Sequence, residues 1–544
     1  MKRALGIFTP VSERPADEER NRLLRRTDWR FFLPDPNPSK TICFAGGPLL
    51  DSVRLISGSV VDGRNGAEAR GCDLAVTVDP DPETLALARS SLRAGGFLYS
   101  EWRGIVRRGK ALVRRRLEST GFEGASFYWP HPDPSVTNPA AWIPLRGGSA
   151  LRHYFVENRG KSRTPLRRAA RKLMRAVSAA APRLRLAQPV CALARKPTPS
   201  AAGGSRSGLD QLVASRWASW GLGPAPKSLS WLLLTGGLRS NSKVIALAFA
   251  DSNPRPVIAL KMPRTPESAP AIRKEANVLS ALVERLGAAA PRGIPRLLFL
   301  ENHGRVPVLA EMAFTGVPLL SAWTSDSYAD LAQKASVWLA DLAGRRSPSP
   351  PQDWWSRLID PVLAEFADAF GRALDSSLLR ESEALLRTLP SLPLVCEQRD
   401  FAPWNVLLTP AGELAVVDWE SAELDGLPAL DLIYFLAYLC FSIDSARLTG
   451  RYRESYRSML DPSTPRGSLA ARCFSVYRNR LGLDAAAFRP LRLLTWLVHA
   501  RSEYHRLQAD FGQTPSVEIL RQAVCVQLWQ EELCDGRDRR GNLA

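Results

Sequence analysis

The sequence lacks the features expected of a membrane-spanning or zinc-binding protein. None of its eight cysteines forms a C-x-x-C pair, so we expect neither a zinc site nor a disulfide framework. The strongest internal apolar run, Leu432–Phe441, has ten residues, whereas a membrane-spanning helix needs roughly 20. This run predicts a buried helix. The apolar stretch at the N-terminus is too short for a signal peptide. These absences predict a cytoplasmic protein without a transmembrane segment.

Acidic residues are scarce in one half of the chain only. The 544 residues carry a formal net charge of +19, of which residues 1–200 contribute +17 and residues 201–544 only +2. This asymmetry predicts two halves with different roles, within a length typical of two to four domains. Hydrophobic residues make up 45% and charged residues 23%. These values are typical of a globular protein and exclude a wholly disordered or collagen-like chain.

In the first 200 residues, apolar segments typical of strands alternate with segments that have the spacing of a helix. The predicted strands are Thr41–Phe44, Val53–Val61, Asp73–Val78, Phe97–Trp102 and Val190–Ala194, and Pro82–Leu92 has the spacing of a helix. Such alternation favours a mostly parallel sheet. We therefore predict a Rossmann-like α/β domain over residues 38–197, after an N-terminal extension of residues 1–37.

A basic segment, residues 151–196, contains 13 lysines and arginines but a single acid, Glu157. We predict a basic helical insertion over about residues 151–188. Three interpretations stay open: a solvated helix, a helix docked on an anionic lipid surface, or a contact with a phosphate-rich partner such as nucleic acid. The second would place the protein at the periphery of a membrane. No nucleic-acid-binding motif accompanies the arginines. Residues 198–224 follow as a linker rich in Pro, Gly and Ser.

The most informative segment lies between residues 394 and 436. It predicts a strand, a loop with Asp400 and Asn405, and a hairpin whose returning strand leads to Asp418. The hairpin would bring Asn405 and Asp418 together beside Asp400. Two carboxylates and one amide are oxygen donors that suit Mg²⁺. Phosphoryl transfer needs such metal ligands and a carboxylate that accepts the hydroxyl proton.

This segment resembles the aminoglycoside phosphotransferase and choline kinase family, which has a protein-kinase-like fold. The kinase patterns H-R-D-x-x-x-x-N and D-F-G correspond to Gln398-Arg399-Asp400-x-x-x-x-Asn405 and Asp418-Trp419-Glu420. Gln398 replaces the usual histidine, but glutamine can also form hydrogen bonds. The resemblance implies that Asp400 is the catalytic base and that Asn405 and Asp418 bind Mg²⁺. It also implies structural support of this loop by Gln398, Arg399 and Asp431.

The residues upstream have the order of a kinase N-lobe. Two predicted strands, Trp231–Leu234 and Val244–Ala250, flank a small polar loop, and a third strand, Val257–Leu260, leads to Lys261. The resemblance implies that Lys261 binds the phosphates of ATP and pairs with Glu275, on a helix predicted over Ala271–Leu286. Further ATP contacts are implied for the loop and for the hinge, namely Ser240, Asn241, Ser242, Glu311 and Ala313. The predicted lobes cover residues 225–306 and residues 307–544, and the resemblance extends over roughly residues 225–510.

The N-terminal half resembles a degenerate class I methyltransferase that uses S-adenosylmethionine. The resemblance rests on an L-R-x-G-G turn at Leu92–Gly96 before a strand, and on Gly121-Phe122 followed by Phe127–Pro130. The loop Ala45-Gly46-Gly47 is a short version of the expected glycine-rich loop. Asp62 is a candidate for holding the cofactor ribose, or else a turn residue beside Gly63.

The sequence thus predicts an α/β domain joined to a bilobal kinase-like α+β domain. The predicted activity is ATP-dependent phosphorylation of a hydroxyl on a small molecule. Residues 351–450 carry a net charge of −10, which suits Mg²⁺ and a cationic acceptor, or forms a solvated acidic face. Two alternatives stay open: a nucleotide-binding pseudokinase scaffold with a basic docking domain, and a bifunctional methyltransferase–kinase.

Overall fold

The structure is a computed structural model. It describes residues 16–65, 69–103, 109–133, 139–146, 148–157, 189–198, 207–237, 243–251, 253–287, 290–324, 326–344, 353–511 and 515–541. The chain divides into two compact units. The sheet unit contains Ala16–Ala276 and Arg296–Thr315, and the helical unit contains Asn277–Pro295 and Gly316–Ala544.

Twelve of the described strands form one sheet in the sheet unit. They are β1 (Lys40–Cys43), β2 (Ser59–Asp62), β3 (Cys72–Val78), β4 (Leu92–Trp102), β5 (Glu123–His131), β6 (Ala141–Pro144), β7 (Val190–Arg195), β8 (Leu229–Leu234), β9 (Lys243–Ala250), β10 (Ile258–Pro263), β11 (Leu297–His303) and β12 (Val306–Met312). Their order across the sheet is β11-β12-β10-β9-β8-β6-β5-β7-β4-β3-β1-β2. The described helices of this unit are α1 (Ala16–Arg26), α2 (Pro48–Ile56), α3 (Pro82–Ser91), α4 (Gly109–Ser119), α5 (Ser149–Arg152), α6 (Gly208–Ala214) and the first part of α7 (Ala269–Leu286).

Parallel pairing is confined to one end of this sheet. β1 pairs in parallel with β2 and β3, and β3 pairs in parallel with β4. The prediction of a strand over Val53–Val61 is wrong for its first residues, because Val53–Ile56 belong to α2. Pro48 occupies the first turn of that helix, and Leu49, Val53 and Ile56 are buried. This spacing buries one helical face, and the strand begins only at Ser59.

The sheet continues without interruption into the predicted N-lobe. β7 is antiparallel to β4 and β5, and β6 joins the two regions because it pairs with both β5 and β8. The result is a large mixed sheet. The prediction of a mostly parallel sheet over residues 38–197 is wrong, because the described strands β1 to β7 form three parallel pairs and three antiparallel pairs. The Rossmann-like assignment and the predicted domain boundaries stay predictions.

The predicted elements around Lys261 are confirmed. Strands β8, β9, β10, β12 and β11 pair in antiparallel order. Helix α7 packs Ile272 and Ala276 against Leu309 of β12. Lys261 lies on β10 and Glu275 on α7.

The helical unit begins with the remainder of α7 and contains further helices and two small sheets. Its helices are α8 (Leu319–Ala322), α9 (Tyr328–Leu342), α10 (Trp354–Leu358), α11 (Asp360–Phe370), α12 (Ser376–Leu386), α13 (Leu430–Ile443), α14 (Ala446–Thr449), α15 (Tyr452–Leu460), α16 (Pro465–Leu481), α17 (Phe488–Phe511), α18 (Val517–Arg521) and α19 (Val524–Gly541). Its strands are β13 (Val317–Pro318), β14 (Val395–Glu397), β15 (Val406–Leu408), β16 (Leu414–Val416) and β17 (Glu423–Gly426). The buried helix predicted from the apolar run Leu432–Phe441 is confirmed as α13.

In the part of the chain that the structure describes, no helix has both the length and the apolar character needed to span a bilayer. The predicted loop residues Ser240, Asn241 and Ser242 lie outside the described residues, as does segment 158–188 of the basic insertion.

Candidate active site

The hairpin β15–β16 brings together the polar residues of the catalytic loop. Val406 is in register with Val416, and the Val417 N–H donates to the Asn405 carbonyl at 3.0 Å. The turn between the strands closes through the Gly412 N–H, which donates to the Thr409 carbonyl at 2.9 Å. Asn405 therefore lies at the end of the hairpin from which Asp418 follows, as the sequence predicts.

Asp400 and Asn405 are in direct contact. The Asn405 Nδ2 donates to the Asp400 Oδ2 at 2.7 Å and to the Asp400 backbone carbonyl at 2.9 Å. The amide fixes the position of the carboxylate that the resemblance assigns as catalytic base. Because Nδ2 is used in this way, Oδ1 is the Asn405 atom that can act as a metal ligand.

Asp431 fixes the two residues that precede Asp400. Its carboxylate accepts the N–H of Gln398 at 2.6 Å and the N–H of Arg399 at 2.9 Å. Burial, and secondarily the Glu397 charge, raise the pKa of Asp431 to about 7. The side chain is 7% exposed, so these two bonds stabilise the loop inside the protein rather than at its surface.

Gln398 connects the catalytic loop to the strand that leads to Asp418. Its Nε2 donates to the Asp418 carbonyl at 2.6 Å and to the Val417 carbonyl at 3.2 Å. Its Oε1 accepts the Asp400 N–H at 2.9 Å. The glutamine thus joins both parts of the candidate site through backbone atoms.

Arg399 forms an ion pair with Glu397, whose side chain is buried while that of Arg399 is partly exposed. Its Nε lies 2.8 Å from the Glu397 Oε2, and its φ of 62° is left-handed. The Glu397 Oε1 accepts the Leu427 N–H at 2.7 Å. A Cβ on Gly426 would overlap the Glu397 carboxylate. The sequence analysis assigned no role to Glu397. Its position directly before Gln398 could have indicated that it supports the catalytic loop.

Asp418 and Glu420 form a second group of oxygen donors. Asp418 has a φ of 71°, and an oxygen of its carboxylate lies within 4.8 Å of one from Glu420. Between them, Trp419 is fully buried and donates to the Val416 carbonyl at 3.0 Å. These carboxylates and the Asn405 Oδ1 are oxygen ligands, so the residues fit Mg²⁺. Sequence reasoning missed Glu420, whose spacing of two residues from Asp418 was the available signal.

In the sheet unit, Lys261 belongs to a buried cluster of four charged residues. Its Nζ lies 2.6 Å from the Glu275 Oε1 and 2.9 Å from the Glu311 Oε1. Lys243 Nζ contacts the other Glu275 oxygen at 3.0 Å. Burial raises the pKa of Glu311 to about 7, although the Lys261 charge opposes the shift. The predicted Lys261–Glu275 contact is therefore present.

Two members of this cluster were not predicted in these positions. The sequence analysis assigned no role to Lys243, which is the first residue of an apolar strand. Glu311 was assigned to ATP binding through the hinge, but its side chain contacts Lys261. The Ala313 N–H donates to the Val257 carbonyl at 3.2 Å. The hinge roles of Glu311 and Ala313 stay predictions.

Asp62 does not fit the ribose-binding role considered for it. Its carboxylate accepts two hydrogen bonds from Arg64, at 2.9 Å to Nε and 2.6 Å to Nη2. These bonds hold the pKa of Asp62 at about 2. A Cβ on Gly46 would overlap the Arg64 guanidinium. Arg64 therefore occupies the space between the short glycine loop and Asp62, and the residues do not fit S-adenosylmethionine.

Residues 242–468 match the family model described as the phosphotransferase enzyme family, APH. This match confirms the resemblance of the C-terminal half to the aminoglycoside phosphotransferase family. The search of curated protein sequences found no match.

Many solved structures are similar to the chain, and three of them are described here by their organism. An aminoglycoside phosphotransferase of Alicyclobacillus acidocaldarius has a TM-score of 0.34 and 17% identity, covering 58% of this chain and 92% of that one. Ethanolamine kinase of Plasmodium vivax has a TM-score of 0.36 and 11% identity, covering 60% and 86%. APH(3'')-Id of Streptomyces rimosus, solved with ADP and streptomycin, has a TM-score of 0.32 and 14% identity, covering 53% and 97%. All three TM-scores are below 0.5.

Proposed function

We propose that the protein transfers the γ-phosphoryl group of ATP to a hydroxyl of a small molecule. The observation that carries the proposal is the catalytic loop, in which Asn405 and Gln398 fix Asp400 through its side chain and backbone. The match of residues 242–468 to the phosphotransferase family supports the same reaction class.

Asp400 is the proposed proton acceptor. The acceptor oxygen forms a bond to the γ-phosphorus, the bond from that phosphorus to the β–γ bridging oxygen breaks, and ADP leaves. The hydroxyl proton passes to the Asp400 carboxylate. A positioned general base of this kind contributes about 10²- to 10⁴-fold in rate.

Lys261 is proposed to bind the ATP phosphates, and Glu275 to orient it. The ammonium is nearly buried and contacts two carboxylates, so it is held in one place before the nucleotide binds. Asn405 and Asp418 would hold Mg²⁺, with Glu420 as a further candidate. The ion, when bound, would neutralise phosphate charge.

Nucleotide binding and turnover measured on the same variants test this proposal. In the wild type we expect a thermal shift with ATP and Mg²⁺, and ADP formation that depends on an acceptor from a panel of aminoglycosides and amino alcohols. Asp400→Ala should keep the thermal shift and lose turnover by about 10²-fold or more. Asp341→Ala is the matched control, because this aspartate pairs with Arg480 at the surface.

The outcomes distinguish the proposal from its alternatives. Equal turnover in Asp400→Ala and the wild type would contradict the role of Asp400. Nucleotide binding without turnover across the panel would favour the pseudokinase scaffold. Binding of S-adenosylmethionine in calorimetry would favour the bifunctional methyltransferase–kinase. The position of Arg64 beside Asp62 leads us to expect no such binding.

A further inference from the structure

The catalytic loop carries an exposed tryptophan beside the proposed base. Trp404 is 38% exposed, which is the highest exposure among the fifteen tryptophans of the chain, all of which the structure describes. It directly precedes Asn405, whose side chain contacts the Asp400 carboxylate at 2.7 Å. The turn between them is tight, because the Ala402 N–H donates to the Asp400 carbonyl at 2.7 Å and the Asn405 N–H donates to the Ala402 carbonyl at 2.9 Å. A large exposed aromatic side chain next to a reacting group is typical of a binding site.

Two aromatic contacts fix this loop on helix α13. The ring centroids of Phe401 and Phe435 are 5.4 Å apart, and those of Trp404 and Tyr438 are 5.1 Å apart. Phe435 and Tyr438 are three positions apart, so they are neighbours on the helix surface. Phe401 is fully buried, whereas Trp404 is exposed and Tyr438 is partly exposed. The contact of Trp404 with Tyr438 is therefore the accessible one, and it belongs to the same short loop as Asp400.

Buried aromatic side chains hold Tyr438 in place. Its ring centroid lies 4.5 Å from that of Tyr434, which is one helical turn earlier. Tyr434 stacks on His499 of α17, with centroids 3.6 Å apart and an angle of 11° between the rings. Burial, and secondarily the Arg399 charge, lower the pKa of His499 to about 3, so this ring is neutral at neutral pH. The surface formed by Trp404 and Tyr438 is thus supported by a rigid stack, which reduces the entropy lost when a ligand binds there.

The geometry of this surface favours a flat ligand over a single ammonium group. The planes of Trp404 and Tyr438 are nearly perpendicular, at 89°, and their centroids are 5.1 Å apart. Because the two rings touch each other, no ammonium group fits between them, as an aromatic cage would require. The surface that stays open to a ligand is the exposed part of the indole. An indole face attracts the C–H groups of a saturated ring by dispersion and by its negative π face.

The charged groups near Tyr438 do not add a site for an ammonium group. Burial raises the pKa of Tyr438, and the charges of Glu503 and Arg506 act on that pKa in opposite directions. The Glu503 carboxylate is already used, because it accepts the N–H groups of Val524 at 3.1 Å and Cys525 at 2.6 Å and pairs with Arg506 at 2.5 Å. Contact with a ring is therefore the interaction that this surface offers.

From this arrangement we infer that Trp404 determines the specificity of the acceptor site by stacking on a saturated ring of the acceptor. The acceptor is a cyclic alcohol, such as a sugar or a cyclitol, rather than an acyclic amino alcohol. Its reacting hydroxyl contacts Asp400 while its ring lies on the indole. The inference rests on the proposed function, because it names the class of acceptor for that same reaction.

The test measures transfer from γ-labelled ATP to kanamycin, which contains saturated rings, and to ethanolamine, which contains none. Trp404→Ala should raise the KM for kanamycin about tenfold and change kcat less than about threefold, because stacking binds the ground state and the transition state alike. The KM for ethanolamine should change less than about twofold, and retained transfer to ethanolamine shows that the variant is folded. Trp404→Phe keeps an aromatic face and should raise the KM for kanamycin less than about threefold.

Trp355→Ala is the matched control. Trp355 is a partly exposed tryptophan of the same unit, and it contacts Trp354, Arg387 and Asp360. Its replacement should leave the KM for kanamycin unchanged. An unchanged KM for kanamycin in Trp404→Ala, or an equal rise in the control or for ethanolamine, would overturn the inference. Transfer to ethanolamine but not to kanamycin would also overturn it and leave the proposed function intact. A wild type that transfers phosphate to neither compound nor to the rest of the panel would instead contradict the proposed function.

Discussion

Replacing Gln398 with leucine removes three hydrogen bonds: two that join the catalytic loop to the backbone of residues 417 and 418, and one within the loop. The lost contacts are those to the Asp418 and Val417 carbonyls and to the Asp400 N–H. Leucine has a similar volume, so the cavity term is small and the hydrogen bonds dominate. At about 1 kcal/mol for each bond, the loop should lose about 3 kcal/mol of local stability.

Hydrogen exchange of the Asp400 amide measures this loss directly. Its acceptor is the Gln398 side chain, and a loss of about 3 kcal/mol corresponds to exchange about 100-fold faster. Gln398→His should show a smaller effect, because imidazole has one donor and one acceptor. Gln522→Leu, at an exposed glutamine of the same unit, is the control. Exchange within twofold of wild type in Gln398→Leu would refute the assigned role of these bonds.

Two further predictions concern buried carboxylates. The folded protein holds the Asp431 proton up to about pH 7, whereas the unfolded chain releases it near pH 3.8. Because the folded state then binds more protons, the unfolding free energy should fall as the pH rises from 5 to 7. This group contributes a fall of up to about 1.4 kcal/mol per pH unit. In Asp431→Asn, the unfolding free energy measured with denaturant should fall less steeply with pH over that range than in the wild type. An equal pH dependence in both proteins would contradict the raised pKa of Asp431. Glu275→Gln leaves Lys243 and Lys261 without their shared carboxylate and should weaken ATP binding about tenfold or more in calorimetry. Unchanged affinity would argue against phosphate binding by Lys261.

The local arrangement of the candidate site could be predicted from the sequence. The turn between two apolar strands predicts a hairpin, and a hairpin fixes which residues share one end. The contact of Asn405 with Asp400 and the position of Asp418 follow from this. Lys261 and Glu275 were also paired correctly, because the order of strand and helix in the kinase-like family supplied the long-range information.

Contacts between distant parts of the chain could not be predicted in the same way. Asp28 and Arg264 form a buried ion pair although they are 236 residues apart, and each looks like an ordinary surface charge in its local sequence. Glu311 stands in an apolar strand, where the pattern predicts its burial but not its contact with Lys261. Local periodicity carries no information about which buried charges meet.

The error over Val53–Ile56 has a different cause. A short apolar run fits a buried strand and a buried helical face equally well. Pro48 at the first turn was the local signal for a helix. The pairing of β6 with β8, which makes one sheet of two predicted regions, depends on strand edges that no local pattern identifies.

The most direct test of the proposed reaction is transfer from γ-labelled ATP to acceptors in the panel, comparing the wild type with Asp400→Asn. Asparagine keeps the shape of the side chain and can still accept the Asn405 hydrogen bond, but it cannot take up the hydroxyl proton. We predict labelled acceptor with the wild type and a rate lower by about 10²- to 10⁴-fold with the variant, at ATP affinity within twofold. Equal labelling by both proteins would contradict the proposal that Asp400 is the catalytic base.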